Sequence, residues 1–165
     1  MSKSEDIIRV GLCSQSLTFL PAGGQARSWS VSTAALGAGE LLGSEKTPRG
    51  RHIVRAKIGA GMPPRSVFVG RRPTGEIWSP ELAALHPDRD WILTRILWLS
   101  GLEPGRNRLG NVDSMRRYIY IHGTPDDQPM GVPASHGCVR MRNDELIELF
   151  NLVAPGTEVL IQEDE

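Results

Sequence analysis

Apolar residues in this chain recur at every second position over short runs, and glycine or proline breaks most of those runs before a helix could form. Residues 7–20 alternate and then meet Pro21-Ala22-Gly23-Gly24, a turn signal that predicts residues 27–33 as the returning arm of a hairpin. Residues 36–50 read as a glycine-punctuated loop, and 52–58 as a short strand that Met62-Pro63-Pro64 ends. Residues 66–70 and 76–78 are expected as strands on either side of a turn at Pro73-Thr74-Gly75. Residues 91–99 are apolar on both faces, and the β-formers Ile92, Thr94, Ile96 and Trp98 favour a central strand over a helix. A long polar loop over 101–114 leads into a strand over 116–121 that places His122 at its end. One helix stands out: Asn143 is placed to cap it, Asp144 and Glu145 suit its positive end, and Leu146, Leu149, Phe150 and Val153 repeat at helical spacing until Pro155-Gly156. A last strand over 157–162 runs into an acidic tail, 162–165. The whole, residues 1–165, reads as a single domain, mainly β with one or two helices; at this length roughly 70% of the unfolded surface can be hidden.

Charge and composition exclude several function classes. Lys plus Arg equals Asp plus Glu, nineteen against nineteen, so no general field draws the chain to nucleic acid or an anionic membrane. Glu5, Asp6 and Arg9 interrupt what would be the apolar core of a signal peptide, and no run approaches the roughly 20 apolar residues of a membrane span, so the expected location is the cytoplasm. Two cysteines are too few for a disulfide framework. Cys13 lies in an alternating segment with no histidine nearby and reads as a small buried packing residue.

The chemistry is concentrated in residues 122–140, HGTPDDQPMGVPASHGCVR, where Ser135-His136-Gly137-Cys138 follows His122 at a distance of sixteen residues to Cys138. A thiol attacks only as thiolate, and a free cysteine with a pKa of about 8.5 is mostly protonated at neutral pH, so a neighbouring imidazole is the usual remedy. Cys138 is the candidate nucleophile. Two imidazoles, His122 and His136, are candidate proton carriers. In an extended loop His136 and Cys138 share a face with β-carbons roughly 7 Å apart, too far for a direct hydrogen bond, and the sequence does not choose between them. Gly137 allows close backbone approach, and the amides of Gly137 and Cys138 are natural oxyanion donors.

The histidine followed by Gly123-Thr124, a variable loop and then Ser-His-Gly-Cys-Val-Arg resembles the signature of the YkuD-type L,D-transpeptidase catalytic domain. Ser32-Thr33, the turn Thr47-Pro48-Arg49-Gly50 and the closing Pro155-Gly156-Thr157 extend the likeness over nearly the whole chain. The resemblance implies a β-sandwich-like fold and an acyl-enzyme at Cys138, formed at the bond between the L-centre of a peptidoglycan stem residue, typically diaminopimelate, and the D-alanine after it. It assigns the base to His122, with its other ring nitrogen donating to a backbone carbonyl near Gly123. His136 and Ser135 would then line the oxyanion or substrate region, and Arg140, where some members carry Asn, would pair with a substrate carboxylate. It also implies that carbapenem-type β-lactams acylate Cys138, and it calls for no cofactor or metal.

Two other classes fit these residues less well. A zinc site from His122, His136, Cys138 and His52 lacks any CxxC pair, and a silent peptide-binding module has no use for a thiol. Within the enzyme class, the expected cytoplasmic setting supplies soluble muropeptides and abundant water. That favours an L,D-carboxypeptidase of murein recycling over a crosslinking transpeptidase. The loops over 101–113 and 124–134 are expected to wall the cleft.

Overall fold

A computed structural model describes residues 5–164. Ten strands and two helices follow in the order β1 (Ile7–Gly11), β2 (Ser16–Leu20), β3 (Arg27–Ser30), β4 (Gly50–Ile58), β5 (Ser66–Val69), β6 (Arg72–Ile77), α1 (Pro80–Leu85), β7 (Ile92–Gly101), β8 (Tyr120–Gly123), β9 (Val139–Met141), α2 (Asn143–Leu152) and β10 (Glu158–Gln162). They form one ten-stranded sheet with the path β3-β2-β1-β10-β4-β7-β5-β6, from which β8 branches off β7 and carries β9. The sheet curls on itself. Ser32, just beyond β3, exchanges backbone hydrogen bonds with Arg140 of β9 at 3.0 and 2.8 Å, which joins the β3 end of the path to the β8–β9 branch.

That curl explains the core. Ile8 and Val10 of β1, Val159 and Ile161 of β10, Ile121 of β8 and Val139 of β9 share one apolar cluster although these strands are not all neighbours in the ladder. Helix α2 fills its open side with Leu146, Leu149 and Phe150, the residues its spacing marked. β7 is central, pairing with β4, β5 and β8, and it is buried along most of both faces, as its two-sided apolar run requires.

Several local expectations are corrected. Residues 7–20 are two strands, because the chain reverses over 12–15, where Gln15 takes a positive φ of 52°. Its side-chain amide bonds Thr33 in both directions, Nε2 donating to Thr33 Oγ1 at 2.6 Å and Oε1 accepting from Thr33 N at 2.9 Å, so a distant contact holds a turn that no glycine marks. Cys13 therefore sits exposed on that turn rather than packed in the core. Between β5 and β6 the reversal falls at Gly70-Arg71, both at positive φ, and Pro73 lies inside edge strand β6. The strand expected over 116–121 begins only at Tyr120, because Asp113 Oδ1 accepts from the amide of Met115 at 3.0 Å and holds the preceding residues in a turn. Asn143 does not cap α2. Its amide spans three segments, accepting from Thr94 Oγ1 at 2.6 Å and donating to Thr124 O at 2.9 Å and to Asp126 at 3.0 Å. The acidic tail is tied down, with Glu163 on Arg49 at 2.6 Å and Asp164 accepting from the amides of Cys13 and Ser14.

His52, weighed above as a zinc ligand, is a structural residue. It is fully buried, its Nδ1 meets Gly50 O at 3.0 Å and its Nε2 meets Ser114 Oγ at 2.9 Å, clipping β4 to the base of the 101–114 loop. Burial pushes its pKa down to about 4, below the usual value near 6.5. The unfolded chain thus binds the proton more readily, and the contribution of His52 is complete above about pH 6.5 and is lost as pH falls towards 4. Stability against thermal unfolding is expected to fall over that window by about 3 kcal/mol, and His52→Asn should flatten the slope between pH 6.5 and 4; an unchanged slope in the variant would assign it to other groups.

Candidate active site

β8 and β9 run parallel, with Ile121 level with Val139 and His122 level with Arg140. Side chains alternate across a strand, so Ile121, Val139 and Met141 enter the apolar core while His122, Arg140, Tyr120 and Cys138 turn to the other face. Residues two apart on neighbouring strands stand about 7–8 Å apart at Cβ, within reach of an imidazole. The fold thus puts His122 and Cys138 on one surface.

His122 is buried, and its Nδ1 lies 2.6 Å from Gly123 O. A carbonyl can only accept, so Nδ1 carries the proton and Nε2 keeps the lone pair. Burial holds its pKa below the ordinary histidine range, against the opposing effects of the Gly123 carbonyl and Asp90. Gly123 has no room for a side chain: a Cβ would overlap Asn143 Oδ1 and stand 2.6 Å from Leu93 O. Its role here is to present that carbonyl and to permit close packing.

The sulfur of Cys138 accepts from Tyr120 N at 3.3 Å, and its S–H can donate to Tyr118 O at 3.3 Å. Burial pushes its pKa up to about 12, outweighing the Tyr120 amide and the charges of Arg140 and Arg117. The resting pair is a neutral thiol and a neutral imidazole.

The turn that presents the thiol is held from below. Ser135 is buried, its hydroxyl donating to Cys138 O at 2.6 Å and accepting from Gly137 N at 3.2 Å. Gly137 has φ of 132°, a conformation open to glycine. Its carbonyl accepts from Thr47 Oγ1 at 2.9 Å, so the Thr47-Pro48-Arg49-Gly50 turn buttresses the reactive loop, and Thr33 O accepts from Ser135 N at 2.9 Å.

His136 stands apart from His122. It is exposed, and it lines two cavities at once. The smaller, ≈ 150 Å³, contains Cys138 with Leu42, Gly43, Glu45, Arg117 and Ile119. The larger, ≈ 340 Å³, contains Arg140, Asp90, Arg89, Trp78 and Trp91 together with residues of the 124–134 loop. The 101–113 loop, expected at the cleft, lines neither cavity and faces a third one against residues 38–49.

Two charged neighbours of the candidate site escaped the sequence reading. Asp90, in the loop before β7, accepts from Arg140 Nη2 at 3.0 Å and lies 3.6 Å from His136 Nδ1. Arg117 is half-buried beside the thiol and pins the 39–46 loop by donating to Gly39 O at 3.2 Å and Lys46 O at 2.6 Å. Arg140 also donates to Ala134 O at 3.2 Å, yet its Nε is buried without an acceptor, as is Trp78 Nε1. Both side chains line the larger cavity, but these two nitrogens are themselves buried and not open to it.

Known proteins resemble the chain over this same architecture. The family described as the L,D-transpeptidase catalytic domain, YkuD, matches residues 5–161. YqjB of Bacillus subtilis, which carries the L,D-transpeptidase family name, is 48% identical over 48 residues, 29% of this chain and 27% of that protein. An L,D-transpeptidase from Mycobacterium smegmatis superposes with a TM-score of 0.57 at 17% identity, covering 96% of this chain and 59% of its own. L,D-transpeptidase 3 from Mycobacterium tuberculosis, solved with a faropenem-derived adduct, gives 0.60 at 16% identity, over 97% and 61%. The chain thus spans about three-fifths of the solved chains, and at these identities they attest the fold.

Proposed function

Because this chain belongs to the L,D-transpeptidase catalytic domain family, we propose that it is a cysteine L,D-carboxypeptidase that cleaves the diaminopimelate–D-alanine bond of peptidoglycan stem tetrapeptides, with water as the acceptor. The observation that carries the reading is the shared face of Cys138 and His122, with the His122 tautomer set by Gly123 O. Cys138 Sγ attacks the scissile carbonyl carbon as its proton passes to His122 Nε2. The oxyanion is met by the amides of Gly137 and Cys138; an anionic acceptor outcompetes the long Ser135–Gly137 bond of 3.2 Å. The C–N bond breaks, His122 returns the proton to the departing amine, D-alanine leaves and a thioester remains. His122 then takes a proton from water, which attacks the thioester and frees tripeptide and thiol.

Water is favoured over a second peptide as acceptor by the proposed setting, which supplies soluble muropeptides and abundant water. The proposed setting is a reducing cytoplasm with soluble muropeptides, supported by two free cysteines, one of them exposed. A strained β-lactam carbonyl, as in carbapenems, would acylate the same sulfur.

Incubation with a diaminopimelate-containing tetrapeptide, with and without excess acceptor peptide, tests the choice by product mass. Tripeptide and D-alanine in both conditions are expected. An acceptor-dependent crosslinked dimer would overturn hydrolysis and make the protein a transpeptidase.

A further inference from the structure

Beside the thiol, outside both cavities that His136 lines, stands a cationic and aromatic cluster with no role in the chemistry above. Arg71 lies over the Trp98 ring at 4.6 Å and over Tyr118 at 4.8 Å, and its Nη1 donates to Tyr120 Oη at 3.1 Å. Arg55 stacks on the same indole at 5.5 Å. The three rings contact one another at centroid separations of 6.2 to 6.5 Å.

Three observations set this cluster apart from an ordinary surface stack. First, nothing acidic answers it: among the described residues no carboxylate lies within ion-pair distance of Arg71 or Arg55, although most of the protein's other ion pairs are made by arginine. Tyr120 Oη and the Tyr118 side chain take part of the Arg71 guanidinium, leaving the rest of a planar fork pre-oriented by ring stacking. Second, Arg71 is delivered by a two-residue reversal in which it takes φ of 65°, a position where Gly or Asn is ordinarily found. Third, the cluster is joined to the nucleophile: Tyr118 O and Tyr120 N are the two hydrogen-bond partners of Cys138 Sγ, and Cys138 packs in the same apolar group as Tyr120 and Trp98.

We propose that Arg71, held by Trp98, Tyr118 and Tyr120, is a carboxylate-binding subsite for the acyl-donor peptide, separate from Arg140 and the larger cavity. The proposal rests on the peptidoglycan-peptide reading, since a stem tetrapeptide carries carboxylates away from the scissile bond. Guanidinium forks bind carboxylates in a bidentate manner, and Arg55 adds a second positive charge to the same ring. The partner is an acidic peptide group, and binding there would fix the donor's register against Cys138.

The test compares wild type, Arg71→Gln and Arg71→Lys on a diaminopimelate tetrapeptide and on versions in which each carboxylate remote from the cleaved bond is amidated in turn. Arg71→Gln should lower kcat/KM by about 10-fold or more on the free acid, through KM, as expected for a charge-assisted contact. On one amidated peptide the wild type should lose a similar factor and the variant's further loss should shrink to less than about 3-fold. Arg71→Lys, which keeps charge but not the fork, should fall between. Equal losses on every peptide, or a fall confined to kcat, would make Arg71 a structural residue; no loss on any would remove the subsite and leave the proposed function standing. Failure of the wild type to cleave any tetrapeptide would overturn both.

Discussion

Replacement of Cys138 by Ala is expected to lower peptide turnover by about 10⁴-fold or more, because the acyl intermediate has no other atom on which to form. The fold should survive the change, since the side chain is small and its neighbours Ser135, Gly137 and Thr47 are bonded to the backbone of the loop rather than to the sulfur. Cys13→Ser is the matched control, as Cys13 sits exposed on the β1–β2 turn with its backbone amide bonded to Asp164. Steady-state rates of the two variants, with circular dichroism to confirm folding, check the assignment. An inactive Cys13→Ser beside an active Cys138→Ala would place the nucleophile elsewhere.

His122→Ala is expected to cost about 10²–10⁴-fold in kcat/KM, the range for loss of a general acid–base group. The pH dependence carries more information than the size of the loss. Cys138 is raised to about 12 and His122 is lowered, both by burial, so the free protein holds thiol and neutral imidazole together across the neutral range. The reactive form is lost when His122 gains a proton, and the acid limb of kcat/KM should therefore fall below about pH 6.5, the ordinary histidine value. A thiolate–imidazolium pair would behave differently: it would alkylate rapidly at neutral pH. Here iodoacetamide at pH 7 is expected to label exposed Cys13 before Cys138. Faster labelling of Cys138, or an acid limb that persists in His122→Ala, would contradict the neutral pair.

Much of this was legible because it is local in sequence. Two-sided apolarity placed β7 at the sheet centre, and the helical repeat of Leu146, Leu149 and Phe150 gave α2 its buried face. The Ser135–Cys138 turn and His122 lie within one short stretch, and the pairing of β8 with β9 needs only that stretch to bring them together. What escaped depends on distant partners. The turn before β2 carries no glycine, and the side chain of Gln15 is secured there by Thr33. Asn143 looks like a helix cap until Thr94, Thr124 and Asp126 claim its amide. Asp90 and Arg117 reach the site from loops fifty and twenty residues away, roughly, where an acid or a base in sequence is indistinguishable from a solvated charge. The 101–113 loop was misplaced for the same reason: its contacts with residues 38–49 are set by the curl of the sheet.

The most direct measurement is acid-quenched intact-mass analysis of the protein mixed with excess stem tetrapeptide, followed by peptide mapping. The account predicts a transient mass gain equal to the tetrapeptide less D-alanine, carried by the Cys138 peptide and absent from Cys138→Ala. Release of D-alanine with no adduct on Cys138, or an adduct on Cys13, would contradict it.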